Sequence, residues 1–319
     1  MAKNHNLYDT VIIGAGCTGL AAAMYAGRLN LKTLVLGASH SNELPTGGVI
    51  TLTEIVENYP GFIRLTGPEL AKKLEDHALD YKEMVEIKEE KALDIIKNGD
   101  CFTVKTDSGS YNAKTLIFTT GTQWKKLPMK GAKEFESKGV HYCALCDGAI
   151  YKKKTVAIIG GSDTAAKEAL LLSELCREVY IIYRGEKIRP EPINGKRIEA
   201  KGNIHVITNT NVIEIAGGKF VDRVILDRPY NGSNILELNA VFGAIGNIPL
   251  SGLARKLGIK TNEKGEIIIN RETETNIKGV FAAGDVVDSS FKQAITGVGE
   301  GVTAAHSAFR YVSESTIDF

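Results

Sequence analysis

Two stretches of this chain carry the same design, and that duplication limits the fold more than any other feature. "YDTVIIGAGCTGLAAAMYAGRLNLKTLVLG" opens on an apolar run, Thr10 to Ile13, passes a glycine-rich turn and continues as a helix of small residues. It ends in a second strand, Thr33–Leu36. "KTVAIIGGSDTAAKEALLLSELCREVYIIYRG" repeats that order about 145 residues later. Strand, glycine turn, helix and strand within roughly 30 residues form the βαβ unit that binds dinucleotides. Two copies predict an α/β protein with two Rossmann-like dinucleotide-binding domains, each on a parallel sheet. The 319 residues accommodate both, at about 100–200 residues per domain.

The first turn is an intact G-x-G-x-x-G at Gly14, Gly16 and Gly19. The first glycine permits the tight turn, the second lets the backbone approach a pyrophosphate, and the third lets the helix sit close to the strand. The helix start adds unpaired N–H groups and a positive dipole end. An acid for the ribose commonly follows about 20 residues later, but the second strand here runs into Leu36-Gly37-Ala38. The rest of the site is expected near the C-terminus, in "GVFAAGDVVDSSFKQAITGVGEGVTAA". There an apolar strand ends in Gly284-Asp285 and a long helix of small residues follows. If residues 281–300 complete a site begun at residue 10, the first domain is discontinuous and the second is inserted into it. The expected boundaries are 1–121 with 247–319 for the first domain and 122–246 for the second.

Other segments read as framework. "PELAKKLEDHALDYKEMVEIKEE" predicts a helix with Leu70, Leu74, Ala78, Tyr81 and Val85 on one face, followed by a solvated Lys/Glu cluster. Hairpins are expected around Ser108-Gly109 and Asn231-Gly232. With 39 basic against 38 acidic side chains, there is no electrostatic footprint for nucleic acid or an anionic membrane. No apolar run approaches the ~18 residues of a membrane span. The polar arm before the first strand lacks signal-peptide architecture, and five cysteines do not make a secreted disulfide framework. The expected location is cytoplasmic.

In order along the chain stand "GAGCTGL", "VENYPGF", "CALCDG", "VAIIGG", "AIGNIP", "GVFAAGDV" and "KQAITGVGEG". With these the chain resembles the low-molecular-weight thioredoxin reductases, flavoproteins of the pyridine nucleotide–disulfide oxidoreductase class, from about Asp9 to Tyr311. The resemblance implies FAD on the first domain, a pyridine nucleotide on the second (NADPH, alternatively NADH), a homodimer, and thioredoxin or a thioredoxin-like protein as substrate. By analogy Gly14, Gly16 and Gly19 cradle the FAD pyrophosphate, and Gly47, Gly48 and Asn58 line the flavin pocket. Asp285, Gln293 and Ala294 hold its ribityl and ring end, with Gly121 and Gly284 also assigned to this cofactor. Val49 stands where the family usually has Gln.

The stretch "HYCALCDGAI" places Cys143 and Cys146 three positions apart with Asp147 next. Zinc would want four ligands, and His141 with one acid does not close such a site. A structural crosslink is disfavoured by a reducing compartment and by so short a loop. A redox pair remains, because exchange passes through a mixed disulfide that a second thiol must resolve. Asp147 is the candidate for handling the proton. By analogy Cys146 faces the flavin and Cys143 exchanges with substrate, and rotation about segments near Gly121–Lys126 and Ala244–Pro249 alternates dithiol and nicotinamide at one flavin. Cys17, Cys101 and Cys176 read as ordinary buried thiols.

The second glycine turn departs from its pattern. In Gly160-Gly161-Ser162-Asp163-Thr164-Ala165, Ser162 replaces the middle glycine of G-x-G-x-x-A. Gly160, Ser162, Asp163 and Thr164 are the expected nucleotide contacts. "YRGEKIR" matches a family His-Arg-Arg-x-x-x-Arg only at Arg184 and Arg189, with Lys187 adjacent. This keeps open relatives fed by reduced ferredoxin or a deazaflavin, oxidases of small dithiols that use oxygen, and a non-catalytic flavin-bound sensor. Ferredoxin–NADP reductases of similar fold lack the Cys-x-x-Cys-Asp.

Overall fold

A computed structural model describes residues 7–37 and 46–317. In chain order it contains β1 (Leu7–Ile13), α1 (Cys17–Arg28), β2 (Thr33–Leu36), α2 (Gly67–Leu79), β3 (Val85–Lys88), β4 (Ala92–Asn98), β5 (Cys101–Thr106), β6 (Ser110–Phe118) and β7 (Thr122–Trp124). Next come β8 (Val140–His141), α3 (Ala144–Asp147), β9 (Thr155–Ile159), α4 (Asp163–Leu175), β10 (Glu178–Ile182), α5 (Pro192–Glu199), β11 (Ile204–Ile207), β12 (Val212–Gly217), β13 (Val221–Tyr230), β14 (Ser233–Glu237) and β15 (Ala240–Gly243). The chain closes with β16 (Asn247–Pro249), α6 (Gly252–Lys256), β17 (Val280–Ala282) and α7 (Ala294–Ile317). Two compact units result: residues 1–123 with 248–319, and residues 124–247.

The first unit is built on a seven-stranded sheet in the order β3-β2-β1-β6-β5-β4, with β17 also paired to β6. Val11, Ile12 and Ile13 are continuously apolar because both sheet faces are covered, as in parallel sheets generally. Val11 and Ile13 face a core shared with Leu34, Phe118 and Val280, whereas Ile12 faces alanines of α1 and α7. Fully burying one such isoleucine contributes about 1.5–3 kcal/mol. The small residues of α7 have a steric cause: a Cβ on Gly301 would lie 2.4 Å from the Thr18 carbonyl oxygen.

The second unit has a parallel sheet in the order β11-β10-β9-β15-β8 and a separate antiparallel meander, β12-β13-β14. Its expected hairpin turns at Asn231 (φ 49°) and Gly232 (φ 84°), the paired positive φ of a type I′ turn. The hairpin around Ser108-Gly109 also forms, joining β5 to β6.

Two local expectations need correction. The helix anticipated as far as Val85 stops at Leu79. It starts from a capping box in which the Glu69 N–H donates to Thr66 Oγ1 (3.3 Å) and the Thr66 N–H to Glu69 Oε2 (2.7 Å). Tyr81 and Val85 stay on the apolar side for another reason, since both press against Gly27 of α1. Val85 opens β3, which satisfies the free edge of β2. The Lys/Glu cluster is not simply a solvated face either: Tyr8 Oη donates to Glu86 and Tyr111 Oη to Glu90, both at 2.7 Å. Among the described residues no helix is long and apolar enough to cross a membrane.

Candidate active site

The first glycine turn opens into a cavity of about 310 Å³ within the first unit. Gly14, Gly16, Gly47, Gly48, Gly121, Asp285, Gln293 and Ala294 all line it. Asn58 joins at its edge by donating to Gln293 Oε1 at 2.9 Å. Gly19 and Gly284 stand behind the wall. A Cβ on Gly19 would fall 1.9 Å from the Gly14 carbonyl oxygen, and the Gly284 N–H donates to Glu300 Oε2 at 2.8 Å. Gly47, at φ 107°, brings its loop against the turn through an N–H bond to the Ala15 carbonyl (2.7 Å).

Whether a dinucleotide fits is decided by the groups facing this space. Gly16 caps α1 without a side chain and the first turn carries no acid, so among the described residues the opening N–H groups have no side-chain partner. Among the described residues a methyl on Gly16 would find only the Gly47 carbonyl oxygen, at 3.7 Å. The turn is therefore an open cradle of N–H groups suited to a pyrophosphate. At the far end burial raises the Asp285 carboxyl above its ordinary range, against the pull of Lys292 and with Glu300 adding to the rise. Lys292 in turn donates to Glu266 (2.6 Å) and to the Asp285 carbonyl (2.9 Å). Sequence reasoning did not single out Lys292 or Glu300, because each acts from the opposite end of a loop or helix. The Cys17 thiol also lines the cavity, and burial pushes it up to about 12, so it stays neutral.

In the second unit the chain folds back over its own glycine turn. The Arg189 N–H donates to the Gly161 carbonyl at 2.7 Å, and Arg189 Nη2 donates to Tyr183 Oη at 3.2 Å. The Tyr183 ring covers Gly161 so closely that a Cβ there would lie 2.5 Å from it. Ser162 caps α4 without using its hydroxyl, which leaves the first amides open toward a ligand. Asp163 is spent on the protein: it accepts from the Glu191 N–H (2.7 Å) and Asn194 (2.9 Å), and pairs with Lys167 (2.8 Å). Burial alone would raise its carboxyl, but these bonds hold it below the usual range. Thr164 and Arg184 are exposed at the same turn and loop.

Cys143 and Cys146 are joined as a disulfide across the four-residue helix α3. Cys143 is that helix's N-cap, with its sulfur accepting the Cys146 N–H at 3.1 Å. Such a donor favours a thiolate at Cys143. Cys143 is buried and Cys146 exposed. Asp147 closes the helix, its N–H on the Cys143 carbonyl (3.2 Å) and its Oδ2 3.0 Å from His141 Nδ1. Cys17 and Cys176 are buried as expected, whereas Cys101 at the start of β5 is half-buried. Among the described residues no three His, Cys, Asp or Glu gather as a metal site.

The family model described as "Pyridine nucleotide-disulphide oxidoreductase" matches residues 8–301. A protein named thioredoxin reductase from Bacillus subtilis (strain 168) is 37% identical over 323 residues, covering 98% of this chain and 97% of that protein. The crystal structure of Lactococcus lactis thioredoxin reductase (FR conformation) superposes with a TM-score of 0.90 at 35% identity, covering 96% of this chain and 99% of that one. The thioredoxin reductase of T. acidophilum gives 0.89 at 36% identity, over 98% and 100% of the two chains. A match across nearly the whole length, with both glycine turns and the disulfide in place, makes this chain a member of the pyridine nucleotide-disulphide oxidoreductase family.

Proposed function

We propose that the chain is an FAD-dependent NAD(P)H:thioredoxin-disulfide oxidoreductase, acting as a cytoplasmic homodimer. The observation that carries this reading is the Cys143–Cys146 disulfide directly ahead of a second dinucleotide turn, in a family member with an open cradle at the first. Residues 1–121 with 247–319 then form the FAD domain and 122–246 the NAD(P)H domain.

Gly14, Gly16 and the α1 amides hold the FAD pyrophosphate, while Asp285, Gln293 and Ala294 hold the ribityl and ring end. Bound there, the flavin supplies a two-electron relay between nicotinamide and disulfide. Gly160, Ser162, Thr164 and the α4 amides receive the nucleotide, and Asp163 acts at one remove by pinning the Arg189–Asn194 segment to the turn. In the dithiol form Cys143 attacks the thioredoxin disulfide, Cys146 resolves the mixed disulfide, and Asp147 handles a proton. Cys143 takes the attacking role because of the N–H bond at its sulfur, although Cys146 is the more exposed residue.

Anaerobic titration followed by turnover with an oxidised thioredoxin tests the reading. NADPH is expected to bleach the yellow protein and to be oxidised in step with thioredoxin reduction. Bound FAD that neither NADPH nor NADH bleaches would overturn the donor assignment in favour of ferredoxin or a deazaflavin. Peroxide formation from a small dithiol would mark an oxidase.

Arg189 and Arg184 supply the positive charge for a 2′-phosphate. A hydrogen bond to a charged group contributes roughly 1.5–3 kcal/mol, about one to two decades of affinity. Arg189→Ala is therefore expected to raise KM for NADPH about 10- to 100-fold and to leave KM for NADH within about twofold. Steady-state kinetics with both donors checks it, and an equal change for the two would remove Arg189 from 2′-phosphate recognition.

A further inference from the structure

One line of side chains beside the disulfide has no role in the chemistry so far. His141, with 7% of its side chain exposed, lies in β8 opposite Phe242 of β15 and stacks on that ring at 5.4 Å. Both imidazole nitrogens are engaged: Nδ1 is 3.0 Å from Asp147 Oδ2, and Nε2 is 2.8 Å from the Tyr151 hydroxyl. Tyr151 is buried and stands edge-on to both His141 and Phe242. Among the described residues His141 is the one side chain bonded to the Asp147 carboxylate.

We propose that His141, oriented by Tyr151, is the positioning residue of the Asp147 acid. It occupies Oδ2, so that Oδ1 is the oxygen that takes and returns the proton during dithiol–disulfide exchange. The inference rests on the reductase reading above.

An ionised carboxylate only accepts, so a neutral imidazole here carries its proton on Nδ1 and donates it to Asp147 Oδ2, and Nε2 is then left to accept from the Tyr151 hydroxyl. Burial, and secondarily the Asp147 carboxylate, raises the Tyr151 hydroxyl above its ordinary range, which keeps it a donor. Phe242, which is uncharged, stacks on His141, and Lys154 Nζ lies 5.5 Å from the Tyr151 ring centroid. Every buried donor and acceptor in the line is thus satisfied whether Oδ1 carries a proton or not.

The exchange balances on this basis. The Cys143 thiolate attacks thioredoxin's disulfide, forming one S–S bond as another breaks, and the departing thioredoxin thiolate takes a proton from solvent. Cys146 gives its proton to Asp147 Oδ1 and attacks the Cys143 sulfur. The second thioredoxin thiolate leaves and takes that proton from Oδ1. Two enzyme thiols are oxidised, two thioredoxin sulfurs are reduced, and Asp147 ends as it began.

The test uses the FAD-loaded protein reduced by dithionite, mixed with oxidised thioredoxin, with dithiol oxidation followed across pH. His141→Phe keeps the ring's bulk and removes the donor, and is expected to slow exchange about tenfold. Because a donor that favours the ionised carboxylate is lost, the acid limb of the profile should move to higher pH. His141→Gln, whose amide N–H still reaches for Oδ2, should recover to within about threefold of wild type. Tyr151→Phe should shift the limb the same way by less. A merely structural histidine would lower the rate equally at every pH. A His141→Phe protein with normal FAD content and a profile superimposable on wild type overturns the proposal. If the wild-type dithiol exchanges with 5,5′-dithiobis(2-nitrobenzoate) but not with thioredoxin, the reductase reading fails, and the same profile measured with that reagent still decides the role of His141.

Discussion

Cys143→Ser and Cys146→Ser are each expected to lower thioredoxin reduction by at least about 10³-fold while leaving FAD bound. A loss of that order follows when one member of an obligate catalytic pair is removed. With a single sulfur no intramolecular disulfide exists to accept two electrons, and a mixed disulfide has no internal thiol to resolve it. The two variants should nevertheless differ. In Cys146→Ser the remaining sulfur is the N-cap position of α3, beside the position-146 N–H that favours a thiolate. It should trap a thioredoxin lacking its resolving cysteine as a stable mixed disulfide, visible on a non-reducing gel. Cys143→Ser leaves the exposed sulfur without that N–H donor and should trap slowly or not at all. The reverse order of trapping would assign attack to Cys146. Normal turnover in either variant would remove the dithiol from the reaction altogether.

The parts of the molecule legible in the sequence are those specified by local backbone chemistry. Both glycine turns, the strands that feed them and the turn at Asn231-Gly232 follow from residues within about 30 positions of one another. The distant closure of the first site was legible too, because an acid at a strand end followed by a small-residue helix is itself a local pattern. Relations set by tertiary geometry were not. Leu70, Leu74 and Ala78 mark a real helical face, but Tyr81 and Val85 prolong the same spacing only because both meet Gly27 across the core. Asp163 sits where a nucleotide contact is expected, yet its carboxylate serves as a clamp on Glu191 and Asn194, residues 28 and 31 positions away. In the sequence alone His141 reads only as a poor zinc ligand. Its link to Tyr151 depends on the fold of α3 and the turn after it, which no periodicity records.

Gly16→Ala and Gly19→Ala should give opposite failures, and this contrast separates a cofactor cradle from a packing requirement. At Gly16 the added methyl meets nothing among the described residues nearer than the Gly47 carbonyl oxygen at 3.7 Å, ordinary van der Waals contact, and the backbone there is extended at φ −76°. The apoprotein should therefore keep its stability to within about 0.5 kcal/mol, as neutral substitutions do. The same methyl enters the space into which a pyrophosphate must come, so FAD affinity should fall by about two decades or more, read by fluorescence titration of the apoprotein with FAD. At Gly19 the methyl would lie 1.9 Å from the Gly14 carbonyl oxygen and 2.8 Å from Thr119 Oγ1, so α1 must move away from β1. Overpacking of this kind costs about 1–3 kcal/mol and sometimes more. Gly19→Ala should thus lower the midpoint of denaturant unfolding even without cofactor, and lose FAD as a consequence. Equal loss of apoprotein stability in both variants would show that Gly16 is held by packing. Full FAD affinity in Gly16→Ala would mean that the pyrophosphate does not lie against this turn, and the assignment of the first unit as the flavin domain would fall with it.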